Sequence, residues 1–315
     1  MAAAHYWRWL FLGELCCAAA LVALPEVREA LSFTTQALLT ALITLCVLPF
    51  LLVGASFIAA RLTPTPRRAG SPGVELLRAW VTETIAFQRA TLAMSIAPWL
   101  RSSGYGEEPS ETNSPRPVLL IHGVNCNRGV WGPMAKALRR HGFGPVRAVD
   151  LEPLRADIEI HAARVANEVR QLRKDSNGVP VAIVAHSMGG LVARAALRSA
   201  GPEDISQIVT LASPHHGTSL ACLLSGAPRE QMRPDSPWLA DLNSAQEGRF
   251  AVPVASIYSL DDNLVAPPTS AQLAGARLYE LRGIGHLSHL SARDSIECTL
   301  AALSRSRIGK HACPT

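Results

Sequence analysis

Charge and aromatics are both scarce in this 315-residue chain. Lysine, arginine, aspartate and glutamate make up 17% of it, aromatics 5% and hydrophobic residues 48%. A mean hydropathy of +0.16 is too high for a chain whose apolar residues serve only a soluble core, so the excess should be local. Metal-ligand spacing is missing too. The seven cysteines are odd in number, show no zinc pattern, and three of them (Cys16, Cys17, Cys46) lie in apolar sequence. Neither a disulfide framework nor a metal site is expected, and no cofactor. Basic runs interleaved with aromatics are also absent. The net charge of +5 therefore reads as a basic face toward anionic lipid, with no nucleic-acid partner expected. No internal repeat is evident.

The apolar excess sits at the N-terminus. No charged residue occurs from 31 to 60, and residues 38–60 alone can cross a bilayer core of roughly 30 Å as a helix. Pro49 and Gly54 are tolerable in a membrane helix. The competing reading is a buried core helix. An earlier run, residues 10–24, is shorter and contains Glu14, and an acidic residue near a span centre costs roughly 2.5–3.5 kcal/mol. It reads as a second span, an interfacial helix or the apolar part of a signal sequence; a two-span hairpin is the favoured form. Arg61, Arg67, Arg68 and Arg78 follow the strong span, whereas "PEVREA" before it has only Arg28 beside two glutamates. Positive charge is retained inside, so the rest of the chain is expected on the cytoplasmic side of a membrane, a bacterial inner membrane.

The chain divides accordingly into a membrane anchor (1–62), a linker and amphipathic helix (63–116), a main domain (117–306) and a short tail (307–315). "TPTPRRAGSPG" (63–73) is rich in proline and glycine, as a linker should be. Residues 74–100 then repeat apolar side chains at Leu76, Leu77, Trp80, Val81, Ile85 and Leu92, which predicts an amphipathic helix lying on the membrane or packed on the domain that follows. A second boundary falls at 101–117. Beyond it six short apolar runs alternate with helical segments such as 156–174 and 188–199. The runs are "PVLLIHG", "PVRAVDL", "PVAIVAHS", "ISQIVTLAS", "VPVASIYS" and "ARLYELRG". This rhythm predicts an α/β fold, with about six mostly parallel strands and helices on both faces. Sites in such folds lie at the carboxyl ends of strands.

At one of those ends "VAIVAHSMGG" places Ser187 between a strand and a helix. A serine hydroxyl is a poor nucleophile and needs a positioned base. A sharp strand-to-helix turn lifts it above the sheet and presents the next backbone N–H to a developing oxyanion. The residues two before and two after the serine face a crowded gap, so Ala185 and Gly189 satisfy the steric demand although Gly-x-Ser-x-Gly is not matched at its first glycine. "SIYSLDDNLVAP" then puts Asp261 and Asp262 at a strand end, and "GIGHLSHL" puts His286 and His289 at the next, in the order Ser, Asp, His.

Together with "LLIHGVNCNRGVW", these motifs resemble the small bacterial lipases of the α/β-hydrolase superfamily, some of which carry the same alanine. The resemblance covers roughly residues 117–305. It implies Ser187 as nucleophile, His286 as general base and Asp262, rather than Asp261, as the acid that fixes the imidazole. It also implies an oxyanion hole from the N–H groups of Val124 and Met188. His122 is expected to brace the oxyanion loop, His215 and His216 in "SPHHGT" to shape a loop or line a pocket, and His289 to lie at the surface or behind the site. Cys126 is not expected to act as a thiol, nor Asp150 and Glu152 to bind metal; calcium, known in larger lipases, finds no ligand pair. Residues 219–250 read either as a cap over an acyl pocket or as a crossover helix with surface loops. The implied activity is that of a membrane-anchored serine esterase or lipase acting on a small-molecule ester or lipid. Acyl transfer and thioester cleavage use the same parts. An inactive membrane scaffold, or a partner-binding N-terminal segment with catalysis secondary, are the readings from other classes.

Overall fold

A computed structural model describes residues 2–63, 73–97, 115–246 and 249–304. The tail at 307–315 lies outside them, as does most of the expected linker and second boundary. The six apolar runs are six strands: β1 (Val118–Ile121), β2 (Val146–Val149), β3 (Val181–His186), β4 (Ile205–Leu211), β5 (Val254–Ser259) and β6 (Arg277–Leu281). They form one sheet in the order β2-β1-β3-β4-β5-β6, with every neighbouring pair parallel. β1, β3 and β5 are buried along their whole length, because a parallel sheet carries helices on both faces. Side chains alternate accordingly. Val118, Leu120, Ala182 and Val184 enter one core, and Leu119, Ile121, Val181, Ile183 and Ala185 the other.

Eleven α-helices are described. The first five are α1 (Ala2–Val22), α2 (Pro25–Ala30), α3 (Phe33–Leu42), α4 (Leu48–Arg61) and α5 (Gly73–Ile96). Within the domain follow α6 (Gly132–Arg140), α7 (Ile158–Asp175), α8 (Met188–Ala200), α9 (Ala227–Gln231), α10 (Pro237–Ser244) and α11 (Arg293–Ser304). α7 shows why such segments fold as they do. Asp157 caps it by accepting from Glu159 N, and Ile158, Ala162, Val165, Val169 and Leu172 recur at helical spacing to enter the core. α10 buries Leu239 and Leu242 in the same core, and Trp238 donates to Glu159 on α7. This part of the 219–250 segment thus packs on α7 and α8, with Arg194 and Arg198 of α8 donating to Asn243 and Asp241. Its 3₁₀ turn Ser219–Leu223 instead meets the loop after β5, with Ser219 N donating to Ala266 O.

Two expectations about the N-terminal region change. Both apolar stretches are helical, but only Phe33–Arg61 is long and apolar enough to cross a membrane among the described residues. α1, which carries Arg8 and Glu14, is not. The one or two such helices expected reduce to one among the described residues, and 22% of its most apolar window is buried. The second expectation, for α5, is refined. The residues that turn inward are Ala79, Glu83, Ala86, Phe87, Ala90, Thr91 and Met94, whereas Leu77, Val81, Ile85 and Leu92 are 40–65% exposed. Of the apolar residues read at helical spacing, Leu76 and Trp80 pack against the core and the others form an exposed apolar stripe. Cys298 is also disulfide-bonded, so cysteine use is not purely as thiol.

α5 is joined tightly to the apolar helix. Pro49 has no N–H to give to Leu45 O, four residues back; a π-helical turn at Ile43–Val47 precedes it, and Gln88 Nε2 supplies that carbonyl at 2.8 Å. Trp80 stacks on Phe50 at 4.1 Å between centroids and donates to its carbonyl. A Cβ on Gly54 would lie 2.5 Å from the Trp80 ring, so only glycine permits this approach. All but four of the large hydrophobic residues exposed among the described residues (Ile160, Leu223, Leu264, Leu278) lie between residues 6 and 96.

Candidate active site

β3 runs into α8 through Ser187, whose φ of +57° and ψ of −129° are those of a strained turn. The crowding expected around it is real. A Cβ on Gly189 would sit 2.4 Å from Ile121 O, and one on Gly190 2.1 Å from Ser213 Oγ. The Ala185 methyl is fully buried in the core beneath. On the opposite side, a Cβ on Gly123 would lie 2.7 Å from Ser187 Cβ and 3.2 Å from its Oγ. Ser187 therefore projects against the loop that follows β1.

That loop carries Val124. His122 braces it, donating from Nδ1 to Gly123 O at 2.8 Å and accepting Leu151 N on Nε2 at 3.0 Å. Burial holds its pKa below the ordinary histidine value, which suits a neutral brace. Asp150 accepts from the backbone and side chain of Arg128, fixing the far end of the loop. Among the described residues, the Val124 N–H takes no part in the loop's backbone hydrogen bonds, and Met188 opens α8, where N–H groups lack an intrahelical acceptor. Cys126 is buried and its thiol is pushed up to about 12, so it is not a thiolate at neutral pH.

At the ends of β5 and β6 the acid and the histidine meet. His286 Nδ1 lies 2.9 Å from Asp262 Oδ2 and 3.1 Å from Oδ1. Asp262 Oδ1 also accepts from Leu264 N and Val265 N, both at 2.8 Å. Asp261 turns away and accepts from Gly283 N. Burial opposes charge on both partners of the pair, yet their mutual attraction holds Asp262 below its usual range and His286 above. Ser187 Oγ, in contrast, makes no hydrogen bond among the described residues. The structure thus joins Asp262 to His286 and sets Ser187 at the end of β3, on the same edge of the sheet, without closing a Ser187–His286 bond. Catalytic hydrogen bonds are often long before substrate binds.

Several groups that hold these loops were not visible in the sequence. His186 donates from Nε2 to His286 O at 3.0 Å, its ring 4.7 Å from that of His286; burial and the nearby His286 keep it neutral. Asn263 accepts the His286 N–H on Oδ1 and donates from Nδ2 to Ser56 of α4 at 2.7 Å. Trp7 of α1 donates to Asn125 O at 2.6 Å, and Asn127 donates to Met94 O of α5. Glu83 of α5, 1% exposed, accepts from the backbone of Leu287 and Ser288. The helices before the domain thus contact the loops around Val124, Asp262 and His286. Their only sequence signal was Glu83, the one charged residue between 79 and 88. Of the other histidines, His215 is locked between Arg194 and Thr210 and shapes its loop. His289 is fully buried against Ser295, not at the surface.

Residues 161–224, which include the serine turn, match the PGAP1-like alpha/beta domain. No curated protein matches the chain. Among solved structures it is similar to Aspergillus fumigatus lipase B, with 14% identity over 93% of this chain and 85% of that one and a TM-score of 0.58. It is also similar to the mature Bacillus licheniformis lipase BlEst2, with 18% identity over 62% of this chain and 96% of that one and a TM-score of 0.55. The fold is that of the α/β-hydrolases, with six parallel strands flanked by helices behind one N-terminal apolar helix.

Proposed function

We propose that this chain is a membrane-anchored serine hydrolase that cleaves carboxylic esters through an acyl-enzyme. The observation that carries the reading is the buried Asp262–His286 pair beside the strained Ser187 turn. Ser187 Oγ attacks the ester carbonyl carbon while His286 Nε2 takes its proton. Asp262 keeps the other ring nitrogen protonated and stabilises the imidazolium. The N–H groups of Val124 and Met188 take up the negative oxygen, a role in which the loss of one donor costs about 2.7–4 kcal/mol. Collapse expels the alkoxide, which receives the proton from His286. Water, deprotonated by the same histidine, then releases the acid and restores Ser187.

Anchoring through Phe33–Arg61 brings the site to its substrate. A membrane-resident ester then meets the catalytic loops at raised effective concentration. The arginines after the helix favour the cytoplasmic face. The disulfide at Cys298 points the other way, since such bonds persist in oxidising compartments. Accessibility of a cysteine reporter at the C-terminus in sealed vesicles decides between the two faces.

The open Ser187–His286 gap favours one second reading, an inactive scaffold on the same fold. Membranes treated with a fluorophosphonate probe separate the two. Labelling of the wild type that is lost in Ser187→Ala supports the enzyme, and a folded wild type that stays unlabelled sinks it.

A further inference from the structure

Glu83 is the only charged side chain of α5 that is fully buried, and it pairs with no lysine or arginine among the described residues. Burial raises its carboxyl above the usual range, while the donors of Leu287 and Ser288 and the nearby His286 pull it back. Its three recorded partners all belong to the turn that begins at His286. Oε1 accepts from Leu287 N at 2.7 Å, and Oε2 from Ser288 N and Ser288 Oγ, both at 2.8 Å. The receiving turn, Leu287–Leu290, is a single 3₁₀ element that starts from His286 itself. Its first N–H groups have no acceptor within the turn, so a carboxylate from outside is what satisfies them. The approach is close enough to dictate sequence on the other side, since a Cβ on Gly285 would lie 2.6 Å from Glu83 Oε2. The carboxylate therefore packs against the residue before the histidine and binds the two residues after it.

We propose that Glu83 is a positioning residue of the hydrolase, whose carboxylate holds the His286 turn in place and makes α5 part of the catalytic apparatus instead of a linker to it. This rests on the esterase reading above. It explains why a helix outside the sheet turns a charged residue inward while leaving Ile85 and Leu92 exposed. Removing an anchor of this kind lets the imidazole drift, and drift of about 1 Å costs about a hundredfold in rate.

A charge effect distinguishes positioning from mere packing. The titratable groups facing His286 are Asp262 from the loop after β5, Glu83 from α5, His186 from the end of β3, and His289 from its own turn. Burial lowers the proton affinity of His286, whereas Asp262 and then Glu83 raise it. Catalysis needs the neutral ring, so loss of the Glu83 charge moves the acidic limb of the kcat/KM profile to lower pH.

The test uses the full chain in detergent with a soluble p-nitrophenyl ester. Glu83→Gln should lower kcat about tenfold to a hundredfold, leave KM within about twofold, and shift the acidic limb downward. Glu83→Asp keeps the charge but falls short of both N–H groups, so kcat should fall with the limb unmoved. Wild-type kcat and limb in Glu83→Gln would overturn the proposal, as would a loss of rate with the limb in place. If Glu83→Gln does not fold, Glu83→Asp and Ser288→Ala decide, and wild-type rates in both would overturn it. Fluorophosphonate labelling separates this from the parent reading. A wild type labelled at Ser187 together with Glu83→Gln labelled equally fast removes Glu83 alone, and an unlabelled wild type removes both.

Discussion

The serine turn and the histidine turn stand on neighbouring parts of one sheet edge, but they are built differently. Ser187 is held by what immediately flanks it. Ala185 lies beneath, Gly189 passes the end of β1, and Gly190 passes Ser213. His286 is held by groups far away in the chain. Asn263 binds its N–H, His186 its carbonyl, and Glu83 the two residues that follow. The first turn is a local solution to crowding between a strand and a helix. The second is a meeting point whose geometry depends on an N-terminal helix two hundred residues earlier. A nucleophile can thus be encoded in a few residues, whereas the base that activates it inherits its position from the assembled fold.

The largest effect should come from breaking the local element. Ser187→Ala is expected to lower kcat on the order of a millionfold while leaving the melting temperature near wild type, measured on the same ester. Asp262→Asn should cost about ten-thousandfold, because the amide stabilises the wrong imidazole tautomer. The wild type should also show where the base titrates. With His286 raised above its ordinary 6.5, chiefly by Asp262 acting against burial, kcat/KM should fall as pH drops through a value above 6.5. A limb at lower pH would mean that burial outweighs Asp262 at His286.

The same contrast accounts for what could be read in the sequence. The six strands were legible because both faces of a parallel sheet are buried, which leaves continuous apolar runs with turn residues between them. Ser187, Asp262 and His286 stood out as polar residues at the ends of such runs, and their order supplied the rest. α5 was legible as a helix but not as to face. Most of its large residues mark an exposed stripe, and the inward side mixes alanines with Glu83, Phe87 and Met94. Nor could any local pattern reveal that Ser56 reaches Asn263 or that Trp7 reaches Asn125. These contacts join segments more than a hundred residues apart, where periodicity carries no information. Steric needs gave a partial signal, since "SMGG" already announced a crowded helix start.

Gly189→Ala tests the crowding directly. The added methyl would meet backbone at 2.4 Å from Ile121 O and 2.7 Å from His122 O, neither of which can rotate aside. Overpacking of this kind costs about 1–3 kcal/mol. The expected result is a melting temperature lower by about 2–12 °C, read by calorimetry, with slower fluorophosphonate labelling because Ser187 is displaced. An unshifted transition would show that the turn relaxes more freely than its neighbours suggest.

The smallest effect should come from the most distant support. Ser56→Ala removes only the acceptor of Asn263 Nδ2, leaving Asn263 Oδ1 on the His286 N–H. One neutral hydrogen bond is worth about 0.5–1.5 kcal/mol net. If that energy serves only the packing of α4 against the domain, it should appear in the melting temperature and not in kcat. If it orders the loop between Asp262 and His286, kcat should fall a few-fold, about two- to fivefold, with KM unchanged. The second outcome is expected, because Asn263 uses its two ends at once: loosening its amide from α4 frees the oxygen that holds the histidine backbone. A variant with a lowered melting temperature and wild-type kcat would confine the long-range support of the base to Glu83 and leave α4 as an anchor.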